Sequence, residues 1–229
     1  MKVSIIIPCF NEEATLRTLV DRVLAAPTNG LAREILIVDD QSSDSSRAIA
    51  EELQSIHAEV RALALPRHQG KGSAVRQGIR LATGEILLVQ DADLEYDPGD
   101  YAALLRPFEN PAVQVVYGSR ILGSSNRSYS RYYWGGRLLT LVANLLFGTR
   151  LTDEATGYKA FRREALEGIT LTANGFEFCP ELTGKFLRKG LHIHEVPIRY
   201  QPRSFEEGKK IRWWDGIIAI WTLLKYRLG

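Results

Sequence analysis

The chain has 229 residues, of which 45% are hydrophobic and 24% are charged, and its formal net charge at pH 7 is +2. This composition is typical of a soluble globular protein, and the length suits one large domain or one domain with a tail. The small net charge gives no reason to expect nucleic-acid binding, and no stretch reaches the roughly 20 apolar residues that a membrane span needs.

The first half of the chain alternates short apolar runs with amphipathic segments. The predicted strands cover residues 3–7, 34–38, 60–65, 86–90 and 113–117, and the predicted helices cover residues 12–26, 45–56, 72–82 and 100–108. Such alternation predicts an α/β protein with a mostly parallel sheet between layers of helices. Ligands of these sheets bind beyond the carboxyl ends of the strands.

Acidic segments follow three of these strands, at residues 8–13, 39–44 and 91–93. The first strand is followed by Pro8 and acids rather than by the G-x-G-x-x-G pattern of a dinucleotide site. Asp91 and Asp93 flank Ala92 directly after a buried strand, where two carboxylates can converge on one hard cation such as Mg²⁺ or Mn²⁺. The alternative for residues 93–97 is an acidic turn before Pro98.

The second half is less regular. A loop is predicted over residues 118–131, a helix over 134–147, a strand over 159–162, a helix over 179–189, a strand over 192–200, a charged loop over 202–210 and an amphipathic helix over 211–228. The helices that contain Trp134 and Trp214 have an apolar face with cations at its margins. This pattern favours an interfacial position on a membrane, and the alternative is packing on the protein core or on a partner subunit.

Several of these segments together resemble the GT-A family 2 glycosyltransferases. The resemblance is to the polyprenyl-phosphate sugar transferases, typified by the dolichol-phosphate mannosyltransferases, and the dolichol-phosphate glucosyltransferases are similar to almost the same degree. It is carried by residues 6–13, 38–44, 70–74, 91–95, 118–120, 153–159 and 195–198, and it extends over nearly the whole chain.

The resemblance implies a GT-A fold, with a catalytic domain over residues 1–210 and a C-terminal amphipathic helix over residues 211–229. It implies an inverting, metal-dependent transfer of a hexose, mannose or glucose, from a GDP- or UDP-sugar to a polyprenyl phosphate such as dolichyl or undecaprenyl phosphate. Two alternatives stay open: transfer to a saccharide hydroxyl in polysaccharide or glycolipid synthesis, and a non-catalytic module that binds a nucleotide sugar.

The resemblance also implies roles for individual residues. Asp91, Asp93 and Glu95 would hold the metal; Pro8, Phe10, Glu12, Asp39, Lys71 and Asp91 would bind the donor; Asp93, Asp153 and Arg120 would be catalytic; and Arg120, Arg131, Arg137, Arg203 and Lys209 would bind the acceptor phosphate.

Simpler structural explanations exist for several of these residues. Glu12 also fits a first-turn acid favoured by the helix dipole, and Lys71 fits a solvated loop lysine. The segment 40–45 also fits a cap of the next helix, with Asp44 as the capping residue. Asp153 or Glu181 is an alternative general base for a hydroxyl acceptor, although Glu181, as an acid in the first turn of a helix, needs no catalytic explanation.

The expected partners are a nucleotide-diphosphate sugar, a polyprenyl-phosphate lipid and a membrane surface. Met1 runs directly into a strand, so we expect no signal peptide. The two cysteines, Cys9 and Cys179, are expected to be reduced thiols of a cytoplasmic protein that is peripheral at the cytoplasmic face of a membrane. The sugar, the nucleotide base, the polyprenol, the choice between Mg²⁺ and Mn²⁺ and the oligomeric state stay open.

Overall fold

The structure is a computed structural model that describes residues 1–123, 130–203, 210 and 213–228, without the side chains of residues 130–132. Two of the predicted acceptor contacts, the Arg131 side chain and Lys209, lie outside this description. The prediction that they bind phosphate therefore stays a prediction.

Seven strands form one sheet. They are β1 (Lys2–Cys9), β2 (Ala32–Asp39), β3 (Val60–Ala64), β4 (Ile86–Val89), β5 (Val115–Ser119), β6 (Lys159–Arg162) and β7 (Ile193–Pro197). Their order is β3-β2-β1-β4-β6-β5-β7. All pairs are parallel except those of β6, which runs antiparallel to both β4 and β5. The mostly parallel sheet predicted from the sequence is confirmed.

The helices are α1 (Leu16–Ala25), α2 (Ser46–Ile56), α3 (Lys71–Leu81), α4 (Tyr101–Leu105), α5 (Ser130–Phe147), α6 (Phe178–Arg188) and α7 (Trp213–Leu228). The helix predicted over residues 100–108 is interrupted, since 3₁₀ turns that contain Pro98 and Pro107 flank the short α4. The helix predicted from Glu12 begins later, because the Glu12 carbonyl closes a turn with the amides of Thr15 and Leu16.

The sheet is covered by helices on both faces. Alternate residues of β1 point to opposite sides: Ile5 packs in a cluster with Leu19 of α1, and Ile6 packs in a cluster with Val75 of α3. The resulting three-layer arrangement leaves the carboxyl ends of β1, β2 and β4 together at one edge of the sheet.

The last helix packs against the rest of the protein. Ala219 and Leu223 of α7 form a small buried cluster with Leu139 and Ala143 of α5. In the described part of the chain, no helix has both the length and the apolar character to cross a membrane. The division of the chain into residues 1–210 and 211–229 stays a prediction.

The predicted strand over residues 192–200 is shorter than expected. β7 ends at Pro197, and the chain then turns so that Tyr200 forms an isolated antiparallel bridge with Tyr96. This turn directs residues 201–203 toward the loop that follows β4, where the Gln201 amide donates to the Glu95 carbonyl at 2.8 Å.

Candidate active site

The edge formed by the carboxyl ends of β1, β2 and β4 carries an excess of buried acids. Glu12, Asp39, Asp40 and Asp93 are all buried there. Buried carboxylates are costly unless cations or hydrogen-bond donors compensate them. The contacts of these acids therefore show which groups compensate their negative charge.

Asp91 and Asp93 are each paired with a different cation. The Lys71 ammonium forms an ion pair with Asp91, and the Arg203 guanidinium donates to Asp93 Oδ2 at 2.9 Å. Burial would lower the pKa of Lys71, but the Asp91 carboxylate outweighs it and raises the pKa above its ordinary value. Burial and the neighbouring Asp91 charge raise the pKa of Asp93 to about 7, although Arg203 opposes this shift.

This pair of carboxylates fits a hard divalent cation. The donors are oxygens, and the pKa of Asp93 is raised first by burial and then by the neighbouring Asp91 charge, so a cation at this position would favour the ionised carboxylate. Among the residues that the structure describes, no three His, Cys, Asp or Glu side chains are grouped in a way that could hold a metal. That Asp91 and Asp93 hold a metal ion therefore stays a prediction.

Glu95, the third predicted metal ligand, faces the segment after β7. Its Oε1 accepts a hydrogen bond from the Arg203 main-chain N–H at 2.7 Å, and its Oε2 accepts one from the Tyr200 hydroxyl at 2.9 Å. Glu95 thus ties this segment to the loop after β4. Its role as a metal ligand stays a prediction.

Glu12 also contacts the segment that follows β7. Its carboxylate accepts from Arg203 Nη1 at 3.0 Å and from Lys210 Nζ at 2.7 Å. Because α1 begins at Leu16, Glu12 is not an acid of the first helical turn, and the interpretation through the helix dipole is wrong. Arg203 therefore bridges Glu12 and Asp93, both of which were predicted to serve the donor or the metal.

The acids at the end of β2 have separate tasks. Both oxygens of Asp39 face the Ser42 amide, and a cavity of about 370 Å³ lies beside Asp39 between α2 and β3. The Asp44 carboxylate accepts from the Ser46 amide at the start of α2 at 3.0 Å, but the residue at the N-cap position is Ser45, so the prediction of Asp44 as the capping residue is not confirmed. The prediction that Asp39 binds the donor stays a prediction.

Sequence reasoning missed the task of Asp40. Its two oxygens accept from the amides of Gln69 and Gly70 at 2.8 and 2.7 Å, and it pairs with His68 Nδ1 at 2.8 Å. His68 in turn stacks on the predicted donor residue Phe10, with ring centroids 4.1 Å apart. Asp40 thereby fixes the start of α3 and the position of Lys71.

A second cluster lies beside the acidic edge and is built on Asp153 and Arg120. Arg120 donates from Nε and Nη2 to the two carboxylate oxygens of Asp153, both at 2.7 Å. Burial would raise the pKa of Asp153, but the charge and hydrogen bonds of Arg120 outweigh it and lower the pKa below its ordinary value. Arg137 joins this cluster, since its Nη1 donates to the Thr152 carbonyl at 3.1 Å.

Aromatic residues connect the two clusters. The Tyr96 hydroxyl accepts a hydrogen bond from the Gly157 amide at 2.8 Å. Gly157 also packs closely on Asp91, since a Cβ added at Gly157 would lie 2.5 Å from Asp91 Oδ2. The Arg120 guanidinium lies 5.1 Å from the centre of the Tyr200 ring. Asp91, Arg203 and the Asp153–Arg120 pair therefore lie in one continuous site.

Glu181 does not belong to this site. Its carboxylate accepts hydrogen bonds from the amides of Thr172 and Ala173, from Lys185 Nζ and from the Tyr226 hydroxyl. Burial would raise the pKa of Glu181, but these donors outweigh it and lower the pKa to about 2. The carboxylate fastens α6 to α7, and the interpretation of Glu181 as a general base is wrong.

The seven-stranded sheet and its flanking helices form a fold of the GT-A type. Among similar solved structures is glucosyl-3-phosphoglycerate synthase from Mycobacterium tuberculosis with Mn²⁺, UDP-glucose and phosphoglyceric acid, at a TM-score of 0.76 and 23% identity, covering 99% of this chain and 79% of that chain. The same enzyme with Mg²⁺ and UDP has a TM-score of 0.71 at 22% identity, covering 98% of this chain and 79% of that chain. At these identities the likeness shows the fold alone.

The chain matches the Glycosyl transferase family 2 profile over residues 4–170 and belongs to that family. Over 91% of the present chain, the sequence is 31% identical to the dolichol-phosphate mannosyltransferase of Pyrococcus furiosus. It is 28% identical to the undecaprenyl-phosphate 4-deoxy-4-formamido-L-arabinose transferase of Enterobacter, also over 91% of its length. The chain spans 59% and 62% of the lengths of these two relatives.

Proposed function

We propose that this chain transfers a hexose from a GDP- or UDP-sugar to a polyprenyl phosphate, with inversion at the sugar and with Mg²⁺ or Mn²⁺ as cofactor. Two of its relatives carry names of transferases that act on dolichol phosphate and undecaprenyl phosphate. The observation that carries the proposal is the direct adjacency of an acidic, metal-compatible edge and a cluster of arginines within one site.

The two halves of the site suit the two substrates. A divalent cation bound at Asp91 and Asp93 would neutralise the charge that develops on the leaving nucleoside diphosphate. Arginines are suited to the acceptor, because the planar guanidinium binds phosphate oxygens in bidentate fashion. Arg203 contacts Asp93 of the acidic edge, and Arg120 and Arg137 contact Asp153 and the Thr152 carbonyl in the neighbouring cluster.

The proposed acceptor removes the need for a strong general base. A phosphate monoester is already an anionic nucleophile, so the residues have to position it and neutralise charge. The lowered pKa of Asp153 agrees with this proposal. A carboxylate that stays ionised and accepts two hydrogen bonds from the Arg120 side chain is suited to orient Arg120 and poorly suited to accept a proton. In our proposal, Asp153 orients Arg120 toward the acceptor phosphate and lies close to the sugar of the donor.

A membrane surface is the proposed source of the acceptor. The outer faces of α5 and α7 expose large apolar side chains, which are Trp134, Leu138, Leu141, Leu145, Trp213, Ile217 and Trp221. Contiguous exposed apolar surface of this kind marks an interaction site. Arg137 lies on α5 between Trp134 and Leu138 and contacts the Thr152 carbonyl, so the apolar face adjoins the site. The free thiols of Cys9 and Cys179 agree with a cytoplasmic location at that surface.

The proposal is tested first on the donor and then on the reaction. Thermal unfolding is measured with GDP-mannose, UDP-glucose and their nucleotides, each with Mn²⁺ or Mg²⁺, because a ligand of the folded state raises the apparent stability. The stabilising donor is then incubated with polyprenyl phosphate, and the lipid product is identified by mass spectrometry, with Asp93→Asn as the inactive control. Stabilisation without any transfer would support a binding module instead, and transfer to an oligosaccharide would support the saccharide acceptor.

A further inference from the structure

The turn that carries Asp153 has no regular structure of its own. It lies in the connection between the end of α5 at Phe147 and the start of β6 at Lys159. Connecting segments are more mobile than the helices and strands they join, and a functional side chain on such a segment needs external support. The position of the Asp153–Arg120 pair therefore depends on what holds this turn.

Glu195 supplies a direct hold on the main chain of the turn. Its Oε2 accepts from the Thr152 amide at 2.7 Å, and its Oε1 accepts from the Asp153 amide at 2.9 Å. Glu195 lies in β7, where it pairs with Tyr117 of β5, and β5 leads directly into Arg120. The turn with Asp153 and the strand that places Arg120 are thus fastened to the same two-stranded unit.

The contact requires a carboxylate. Two successive amides of the turn point at one side chain, and a carboxylate offers two acceptor oxygens and no donor. A glutamine would present its NH₂ group to one of the two amides and would lose that contact. An aspartate would withdraw both oxygens by the length of one methylene group. Hydrogen bonds to an ionised acceptor are also stronger than neutral ones.

Other contacts hold different sides of the same turn. The Ser119 and Thr152 hydroxyls are 2.6 Å apart, and Arg137 donates to the Thr152 carbonyl. Neither of these contacts involves Glu195. We therefore expect a substitution at Glu195 to displace the turn while the surrounding sheet stays folded.

We propose that Glu195 is a positioning residue for the sugar transfer, because its carboxylate fixes the main chain of Thr152 and Asp153 and thereby the Asp153–Arg120 pair. The inference rests on the proposed function and adds a residue that contacts neither substrate. Displacements of about 1 Å at a reacting centre lower rates by as much as 100-fold. Loss of the hydrogen bonds from the turn to Glu195 should therefore lower the rate of the chemical step and leave the affinity for the donor unchanged.

The kinetic test compares Glu195→Gln with Glu85→Gln. Glu85 precedes β4 and accepts from the Lys2 amide at 2.6 Å, so the control removes a similar side-chain to main-chain contact far from the turn. We expect Glu195→Gln to lower kcat about 10- to 100-fold, with the KM for donor unchanged within about twofold, and Glu85→Gln to keep the kcat of the unmodified chain. An unchanged kcat in Glu195→Gln would overturn the proposal.

A double-mutant cycle separates positioning from other roles. If Glu195 acts through Asp153, then Glu195→Gln adds little to the loss already caused by Asp153→Asn, since the two residues form one unit. Multiplicative losses would show that Glu195 acts elsewhere and would overturn the proposal.

Amide hydrogen exchange tests the contact without turnover. Glu195→Gln should accelerate exchange at Thr152 or Asp153, and unchanged protection of both amides would contradict the inference. If Glu195→Gln and Glu195→Asp both fail to fold, Glu195 is a structural residue and the proposal is wrong. Absence of transfer by the unmodified chain would count against the proposed function instead, and the exchange experiment would still decide whether Glu195 holds the turn.

Discussion

Arg203 Nη2 donates a hydrogen bond to Asp93 Oδ2 at 2.9 Å, across 110 positions of sequence. A cation predicted to bind the acceptor thus compensates a carboxylate predicted to hold the metal. The same guanidinium pairs with Glu12 at 3.0 Å, and the Arg203 amide donates to Glu95. The segment after β7 is therefore fastened to the acidic edge by charges that both substrates would also use.

Arg203→Ala should weaken the binding of the acceptor more than the binding of the donor. We expect the KM for polyprenyl phosphate to rise about tenfold, which corresponds to about 1.4 kcal/mol, because a bidentate phosphate contact is lost. The KM for the nucleotide sugar should change by less than about threefold. Steady-state kinetics with each substrate varied separately check this. Arg199→Ala is the matched control, since that exposed side chain pairs with Asp97 and Asp100. Equal increases in both KM values would show that Arg203 does not discriminate between the two substrates.

Asp93→Asn, like Asp93→Ala, should abolish transfer and leave the fold intact. The substitution removes a buried negative charge that Asp91 repels, but it also removes the ion pair with Arg203, so the two effects oppose each other and the melting temperature should change little. The stabilisation by Mn²⁺ together with the nucleotide should disappear. Thermal unfolding with and without Mn²⁺ and the nucleotide measures this, with Asp97→Asn as control. Unimpaired turnover by Asp93→Asn would contradict the assignment of Asp93 to the metal.

Glu181→Gln should lower stability in a pH-dependent way and leave kcat unchanged. The pKa of Glu181 is about 2 in the folded protein against an ordinary value of 4.5, so its contribution is complete above about pH 5 and disappears as the pH falls toward 2. We expect a loss of about 2 kcal/mol in the free energy of unfolding at pH 7, shrinking progressively below pH 4.5.

Urea unfolding at pH 7, 4 and 3 measures the contribution of Glu181. Glu164→Gln is a suitable control, because the Glu164 side chain is 54% exposed. A difference between Glu181→Gln and the unmodified chain that stays constant with pH would refute the assigned role. A large loss of kcat at pH 7 would restore Glu181 as a candidate base.

Leu141→Glu and Trp221→Glu should reduce binding to lipid vesicles without lowering the melting temperature. Both side chains lie on the exposed apolar faces of α5 and α7, at 53% and 65% exposure, so a charge there costs little in water and much at a membrane. Co-sedimentation with vesicles that contain anionic lipid measures the effect. Ile56→Glu is the control, because Ile56 is equally exposed on the distant α2. Vesicle binding that is the same in all four proteins would exclude these faces as the membrane contact.

Much of the sheet could be predicted from the sequence because its strands are buried on both faces. β4 is a continuous apolar run and β1 contains one at residues 5–7, and the acids that follow these strands come together because parallel strands end at the same edge. The antiparallel direction of β6 could not be predicted, since a run of four residues carries no information on its orientation. The resemblance to family 2 glycosyltransferases is confirmed by the profile match.

The contacts that balance the site depend on long-range geometry. Arg203 reads in sequence as one of several cations in a polar loop, and only the turn after β7 brings it to Glu12 and Asp93. In the sequence, Glu195 is only a charged residue in a predicted strand. It accepts hydrogen bonds from two amides because the fold brings the turn before β6 next to β7. No local spacing predicts either contact.

The most direct measurement of the central claim is sugar transfer by the purified chain to vesicle-embedded polyprenyl phosphate, compared with the same vesicles containing the unphosphorylated polyprenol. With the stabilising donor and Mn²⁺ present, we expect mass spectrometry to find a polyprenyl-phosphate hexose in the first vesicles and no glycosylated lipid in the second. Transfer to the free polyprenol, or transfer only to a saccharide hydroxyl, would contradict the assignment of the arginine cluster to an acceptor phosphate.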